Sequence, residues 1–123
     1  MRLELLSRHR IRDPGLGLNE PSGLTLNSDG SALYNVGDNT KAIFRLDLKG
    51  RVSVSDSFLI GLDDLEDIAL RGDESELIVV QERSNSVVIV DLSSRSERSQ
   101  HPLSAMTNYD TIAQYPDPPD NNG

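Results

Sequence analysis

Short apolar stretches alternate with clusters of Gly, Asn, Asp and Ser along most of this chain. Residues 23–26 predict a strand, closed by Asn27-Ser28-Asp29-Gly30, a strong hairpin signal. Residues 32–36 predict the next strand, Gly37 to Thr40 a polar turn, and residues 42–48 a third strand. Lys49-Gly50 then turns into residues 51–60, where Val52, Val54 and Phe58 suit an outer strand. The same plan follows again: strands over 65–70, 76–81 and 86–92, with turns at 71–74 and 83–85. Residues 93–107, rich in Ser and Arg, predict a loose outer strand and a loop. Upstream, Leu3-Glu4-Leu5 and His9-Arg10-Ile11 allow short strands before the turn Asp13-Pro14-Gly15. No segment sustains a 3.6-residue apolar period, so the fold class is all-β and antiparallel.

The two halves of this pattern are copies of each other. Residues 20–48 align with residues 64–92 at an offset of 44 without a gap. Leu26/Leu70, Asp29/Asp73, Ser31/Ser75, Leu33/Leu77, Val36/Val80, Asp47/Asp91 and Leu48/Leu92 are identical pairs. Short strands repeating at this period are the signature of propeller blades, each a four-stranded antiparallel sheet. Closing a propeller takes about 4–8 blades. The expectation is therefore a partial β-propeller of about two blades plus the start of a third. Its divisions are an N-terminal extension or partial strand over 1–19, blades over 20–63 and 64–107, and a Pro/Asp/Asn-rich tail over 108–123.

The copies differ in polarity. Leu77 to Val80 and Val87 to Val90 are apolar on both alternating faces, which predicts burial on both sides. The first copy has Arg45 where the second has Ile89, and Asn35 where it has Val79. That polarity predicts either a missing neighbour beside the first blade or a weaker contact with a closing blade.

Charge removes some function classes. With 12 basic and 20 acidic residues the net charge is −8, which repels nucleic acid and anionic membrane surfaces. No apolar run long enough for membrane insertion occurs, and the first residues lack the apolar core of a signal peptide. There is no cysteine, which excludes disulfides and thiolate metal sites. The sequence contains no nucleophile elbow, phosphate-binding loop, zinc-protease helix or dinucleotide fingerprint. His9 and His101 lie outside the repeats and receive no role, and Ser22 has no base that the sequence can place beside it.

Several phrases carry a family resemblance: Glu20-Pro21-Ser22-Gly23-Leu24, Val36-Gly37-Asp38-Asn39, Ile43 to Asp47, Gly61 to Ala69, and Val79-Val80-Gln81-Glu82-Arg83. Together they resemble the SdiA-regulated (YjiK-like) proteins, whose repeated phrases take the forms E-x-S-G-L, D-x-E-G-I-A and V-x-E-E-R. The resemblance runs over about residues 16–123 and implies a propeller related in shape to the gluconolactonase and paraoxonase propellers. It also implies frequent export, a calcium- or ligand-binding scaffold of undefined biochemical activity as the main functional expectation, and part of a metal-dependent hydrolase or lactonase-like enzyme as the alternative. Neither ligand nor compartment follows from it. Asp67 stands where the family phrase has glycine. Family members are longer, so the resemblance implies an N-terminal fragment, a truncated product or a gene-model error. A partial propeller would expose apolar blade faces, and self-association through them is expected.

In propellers the innermost strand of each blade lines a central channel, where carboxylates from several blades can meet one cation. Calcium takes six to eight oxygen ligands. Glu20 and Glu66 stand at the start of the innermost strands with Asp64 nearby, and these are the candidate metal ligands. Asp38 and Glu82 occupy matching positions after each second strand and are expected to accept hydrogen bonds from turn amides, with a channel-facing role as the second reading. Asp47 and Asp91 are expected to be structural. Asn27 to Gly30 lacks the ligand spacing of a calcium loop and is read as a turn.

Overall fold

A computed structural model describes residues 4–11, 18, 21–37 and 40–105. Eight strands form two sheets. The first blade contains β1 (Pro21–Leu26), β2 (Ala32–Gly37), β3 (Ala42–Asp47) and β4 (Val52–Leu59). The second contains β5 (Leu65–Arg71), β6 (Glu76–Gln81), β7 (Ser86–Asp91) and β8 (Ser96–Pro102). Each sheet is an antiparallel meander in chain order. A single 3-10 turn, Leu103–Ala105, follows β8. The short strands expected at the N-terminus do not form within residues 4–11. Leu5 and Leu6 are exposed there. Residues 108–123 lie outside the described residues.

Local turn chemistry sets the strand limits. Asn27 Oδ1 accepts the N–H groups of Ser31 at 2.9 Å and Ala32 at 3.0 Å, closing the β1–β2 hairpin. Asp47 Oδ1 accepts from the N–H of Lys49 at 2.9 Å and of Arg51 at 3.0 Å across the β3–β4 turn. Asp91 Oδ1 does the same for Ser93 at 2.8 Å and Ser94 at 3.2 Å. These bonds favour the charged form, so each turn aspartate titrates below the usual carboxylate range. At Asp47 the Arg51 amide is the largest cause, and at Asp91 the Ser93 hydroxyl.

The blades pack face to face. Tyr34, Val36 and Ile43 of the first blade share one buried cluster with Leu65, Ile68, Leu77, Val79, Val88 and Val90 of the second. Burying each aliphatic side chain in such a cluster contributes about 1.5–3 kcal/mol. On its far face, the first blade buries Ala42, Phe44 and Leu46 against Leu18, with Ile11 alongside. The approach between blades is closest along the innermost strands. Ser22 Oγ donates to the Leu65 carbonyl at 2.8 Å, and the Leu70 N–H donates to Thr25 Oγ1 at 3.3 Å.

The two polar positions of the first blade lie on opposite faces of the sheet. Arg45 pairs with Tyr34 on the face turned toward the second blade, half-buried, its guanidinium 5.6 Å from the ring centre. Asn35 lies on the far face and is fully buried, its amide donating to the carbonyls of Gly23 at 2.7 Å and Val36 at 3.1 Å. A β-bulge between Pro21 and Gly23 disturbs the ladder nearby, and Asn35 ties the Gly23 carbonyl there.

Candidate metal centre

Asp64, Glu66 and Glu82 converge: one carboxylate oxygen from each lies within 4.8 Å of the other two. All three are half-buried. Antiparallel pairing brings them together. Leu65 at the start of β5 lies opposite Gln81 at the end of β6, so residues just before β5 and just after β6 become neighbours. The Glu82 N–H donates to the Asp64 carbonyl at 3.0 Å and fixes that end of the hairpin.

A bulge presents Glu66. The β5–β6 register shifts between Leu65 and Asp67, leaving Glu66 as the extra residue on β5. The β1–β2 register shifts at the matching place, between Pro21 and Gly23, where the extra residue is Ser22. Bulges of this kind redirect a side chain and recur beside functional sites. The two blades use the position differently. Ser22 Oγ donates to Leu65 O at 2.8 Å and to Val36 O at 3.2 Å, a clamp between the blades that occupies the hydroxyl. Glu66 in the same place carries a carboxylate to Asp64 and Glu82.

Asp64 adopts a left-handed backbone with φ 59°, uncommon outside glycine. Arg83 flanks the acids, its Nε 3.7 Å from Asp64 Oδ2 and a terminal nitrogen 3.7 Å from Asp63 Oδ2. Gln81 Nε2 donates to the Asp63 carbonyl at 3.0 Å and holds the loop before β5. Among the described residues this is the one group of three acidic or imidazole side chains spaced for a shared ion.

Of the ligands expected from the sequence, the structure brings Asp64 and Glu66 together. Glu20 and Asp38 lie outside the described residues. Glu82, expected first as an acceptor for turn amides and second as a channel-facing acid, joins the carboxylates. The signal that finds it is strand register: once 65–70 and 76–81 are read as one hairpin, residues 64 and 82 must meet across its open end. Asp67 does not belong to the group. Its Oδ1 accepts the Ile68 N–H at 2.8 Å. His101 is exposed and bonds Ser99 Oγ at 2.9 Å, a surface contact.

Paired four-stranded meanders, packed face to face with their first strands closest, define a β-propeller architecture. The SdiA-regulated family model matches residues 10–118, and the chain belongs to the SdiA-regulated family. Solved propellers share the fold. A chain in the crystal structure of a nidogen/laminin complex superposes with a TM-score of 0.58 at 26% identity, over 75% of this chain and 33% of that one. Kuenenia stuttgartiensis hydrazine synthase superposes at 0.53 with 23% identity, over 79% of this chain and 26% of that one. Kluyveromyces lactis Hsv2 gives 0.53 with 14% identity, over 68% and 24%. The chain thus spans a third or less of the length of each of these structures. No curated protein sequence matches the chain.

Proposed function

We infer that this chain is part of a propeller scaffold that binds a divalent cation, calcium, with Asp64, Glu66 and Glu82 as ligands. The observation that supports this is the convergence of three half-buried carboxylates within 4.8 Å. Oxygens bound to one calcium at about 2.3–2.6 Å can stand no further apart than about 5 Å, and the group meets that limit. Magnesium demands a stricter octahedron and keeps more of its waters, whereas calcium tolerates an irregular set of carboxylates. Oxygen-only donors suit a hard cation, and the absence of cysteine removes the usual soft ligands. Three carboxylates are half of a calcium shell; Glu20, at the start of the first blade, is the candidate for a further oxygen, with waters completing it.

Calorimetric titration of the chain with calcium tests the reading, using Glu66→Gln and Asp64→Asn beside the parent sequence. Saturable binding that either substitution weakens tenfold or more, about 1.4 kcal/mol, supports it. Equal calcium affinity in the parent and in Glu66→Gln would remove these residues from the site.

A further inference from the structure

A cleft of about 460 Å³ opens between the two blades, lined by residues outside the acidic group. Its volume falls in the range of small-molecule sites. The repeat shows that packing alone does not require it. Tyr34 and Arg45 face the second blade at positions where the second blade itself carries Ile78 and Ile89. An apolar pair there would close the joint as an ordinary blade contact. The first blade places a phenol and a guanidinium in that position, and the joint stays open.

Two arginines in this cavity are held in place but not neutralised. The Arg45 guanidinium lies 5.6 Å from the Tyr34 ring centre, and that of Arg95 lies 5.7 Å from the Phe58 ring centre. The cation–π contact holds each guanidinium beside its ring and leaves further N–H groups to donate. Each guanidinium has five N–H groups. Among the described residues Arg45 donates to Tyr34 Oη at 3.4 Å and Arg95 to the Ser55 carbonyl at 3.0 Å. Among those residues no carboxylate stands within ion-pair distance of either.

The acids of the same cavity already have donors. Asp91 accepts from Ser93, Ser94 and Arg98, the last at 3.0 Å. Glu74 accepts the Ser28 N–H at 3.0 Å across the blade joint, and Asp56 accepts the Ser53 hydroxyl at 2.8 Å. Glu74 holds a left-handed backbone, φ 76°, at the hairpin position that Gly30 fills in the first blade with φ 74°. A non-glycine residue there carries a backbone cost, offset in part by its bond across the joint.

We propose that this cavity binds a small zwitterion, its carboxylate held by Arg45 and Arg95 and its ammonium facing Asp56 and Glu74. Arginine forks match a carboxylate in two-point geometry. The carboxylates in the walls repel a phosphate dianion and attract a protonated amine. Tyr34 and Phe58 supply the apolar surface for whatever the zwitterion carries.

Titration of the intact chain with L-serine, L-glutamine and glycylglycine as probes, followed by amide-resolved NMR, tests the proposal. The expected result is saturable shifts around residues 45 and 95 with at least one probe. Arg45→Met and Arg95→Met should each weaken binding about 10- to 100-fold, the loss expected for a charged hydrogen bond. Arg51→Met, which removes an exposed cation elsewhere, should leave binding unchanged. No saturation by about 10 mM with any probe, equal binding of L-serinamide, or tighter binding of inorganic phosphate would overturn the proposal. Arg95 lies on an exposed turn, so its variant reports even where Arg45→Met fails to fold. Titrations with calcium and with chelator separate this site from the acidic group.

Discussion

A Cβ atom on residue 23 would stand 2.8 Å from the Cα of Asp67, so Gly23 and Asp67 meet backbone to backbone. The two residues are repeat partners, 44 positions apart in sequence. Gly23 faces the second blade and must be small; Asp67 holds the same position on the next sheet, where it is exposed. Among the described residues no sheet presses on that face of Asp67.

Gly23→Ala should therefore destabilise the chain by about 1–3 kcal/mol, because the clash is with backbone and cannot be relieved by a rotamer change. Asp67→Ala should change stability by less than about 1 kcal/mol. Urea unfolding midpoints check both. Equal midpoints for Gly23→Ala and the parent would show that the blades do not meet this closely.

The turn aspartates predict an acid limb of stability. Asp29, Asp47 and Asp91 are all held below the usual carboxylate range, with bonds from Ser31, Arg51 and Ser93 as the leading causes. A carboxylate whose folded pKa is depressed stabilises the fold above its unfolded pKa, near 4, and loses that contribution as pH falls through the folded value. Stability should thus fall on acidification below about pH 4, and the double substitution Asp47→Asn, Asp91→Asn should flatten that fall. Thermal melts from pH 2 to 6 read it, and a parent melting point independent of pH in that window would contradict it.

In the proposed site, Arg83 would compete with the cation for Asp64. With its Nε 3.7 Å from Asp64 Oδ2, it supplies positive charge where the ion would sit. Arg83→Met should tighten calcium binding by roughly three- to tenfold, and Glu82→Gln should weaken it by a similar factor. Parallel titrations of the two variants give opposite signs if the three acids form the site. A shift of the same sign in both would place the ion elsewhere.

Leu24 and Leu26 are 46% and 52% exposed on the far face of the first blade. Their repeat partners Ile68 and Leu70 pack against the first blade in the joint between the sheets. At the other end, Ala69 and Val80 are exposed at positions matching Thr25 and Val36, which face the joint. The chain therefore carries the two complementary halves of a blade contact at opposite ends. We propose that it self-associates head to tail through them, a heterologous arrangement that propagates or closes into a ring. Leu26→Lys and Val80→Lys should each suppress assembly, and a mixture of the two should stop at a dimer. Sedimentation equilibrium distinguishes these, and a parent that stays monomeric at every concentration would refute the idea.

The strands were legible because their limits are written in local chemistry. Asn27, Asp47 and Asp91 each accept amides two to five residues away, and contacts that short are visible in the order of residues. The candidate centre was legible in part. Asp64 and Glu66 are near neighbours in sequence; Glu82 reaches them only through the register of β5 on β6. The polarity of Arg45 and Asn35 was visible, but one lines a cavity between blades and the other ties a bulge on the opposite face.

The 44-residue repeat by itself determined that the chain folds as two antiparallel blades, since period, turn residues and strand composition all act over short separations. Tertiary structure alone decided what each repeated position does. Ser22 and Glu66 occupy the same bulge, yet one hydroxyl is spent clamping two blades while the other side chain joins a cluster of acids. The difference is the neighbouring sheet: Ser22 meets the Leu65 carbonyl of the second blade, whereas Glu66 turns to the acids at the end of its own hairpin.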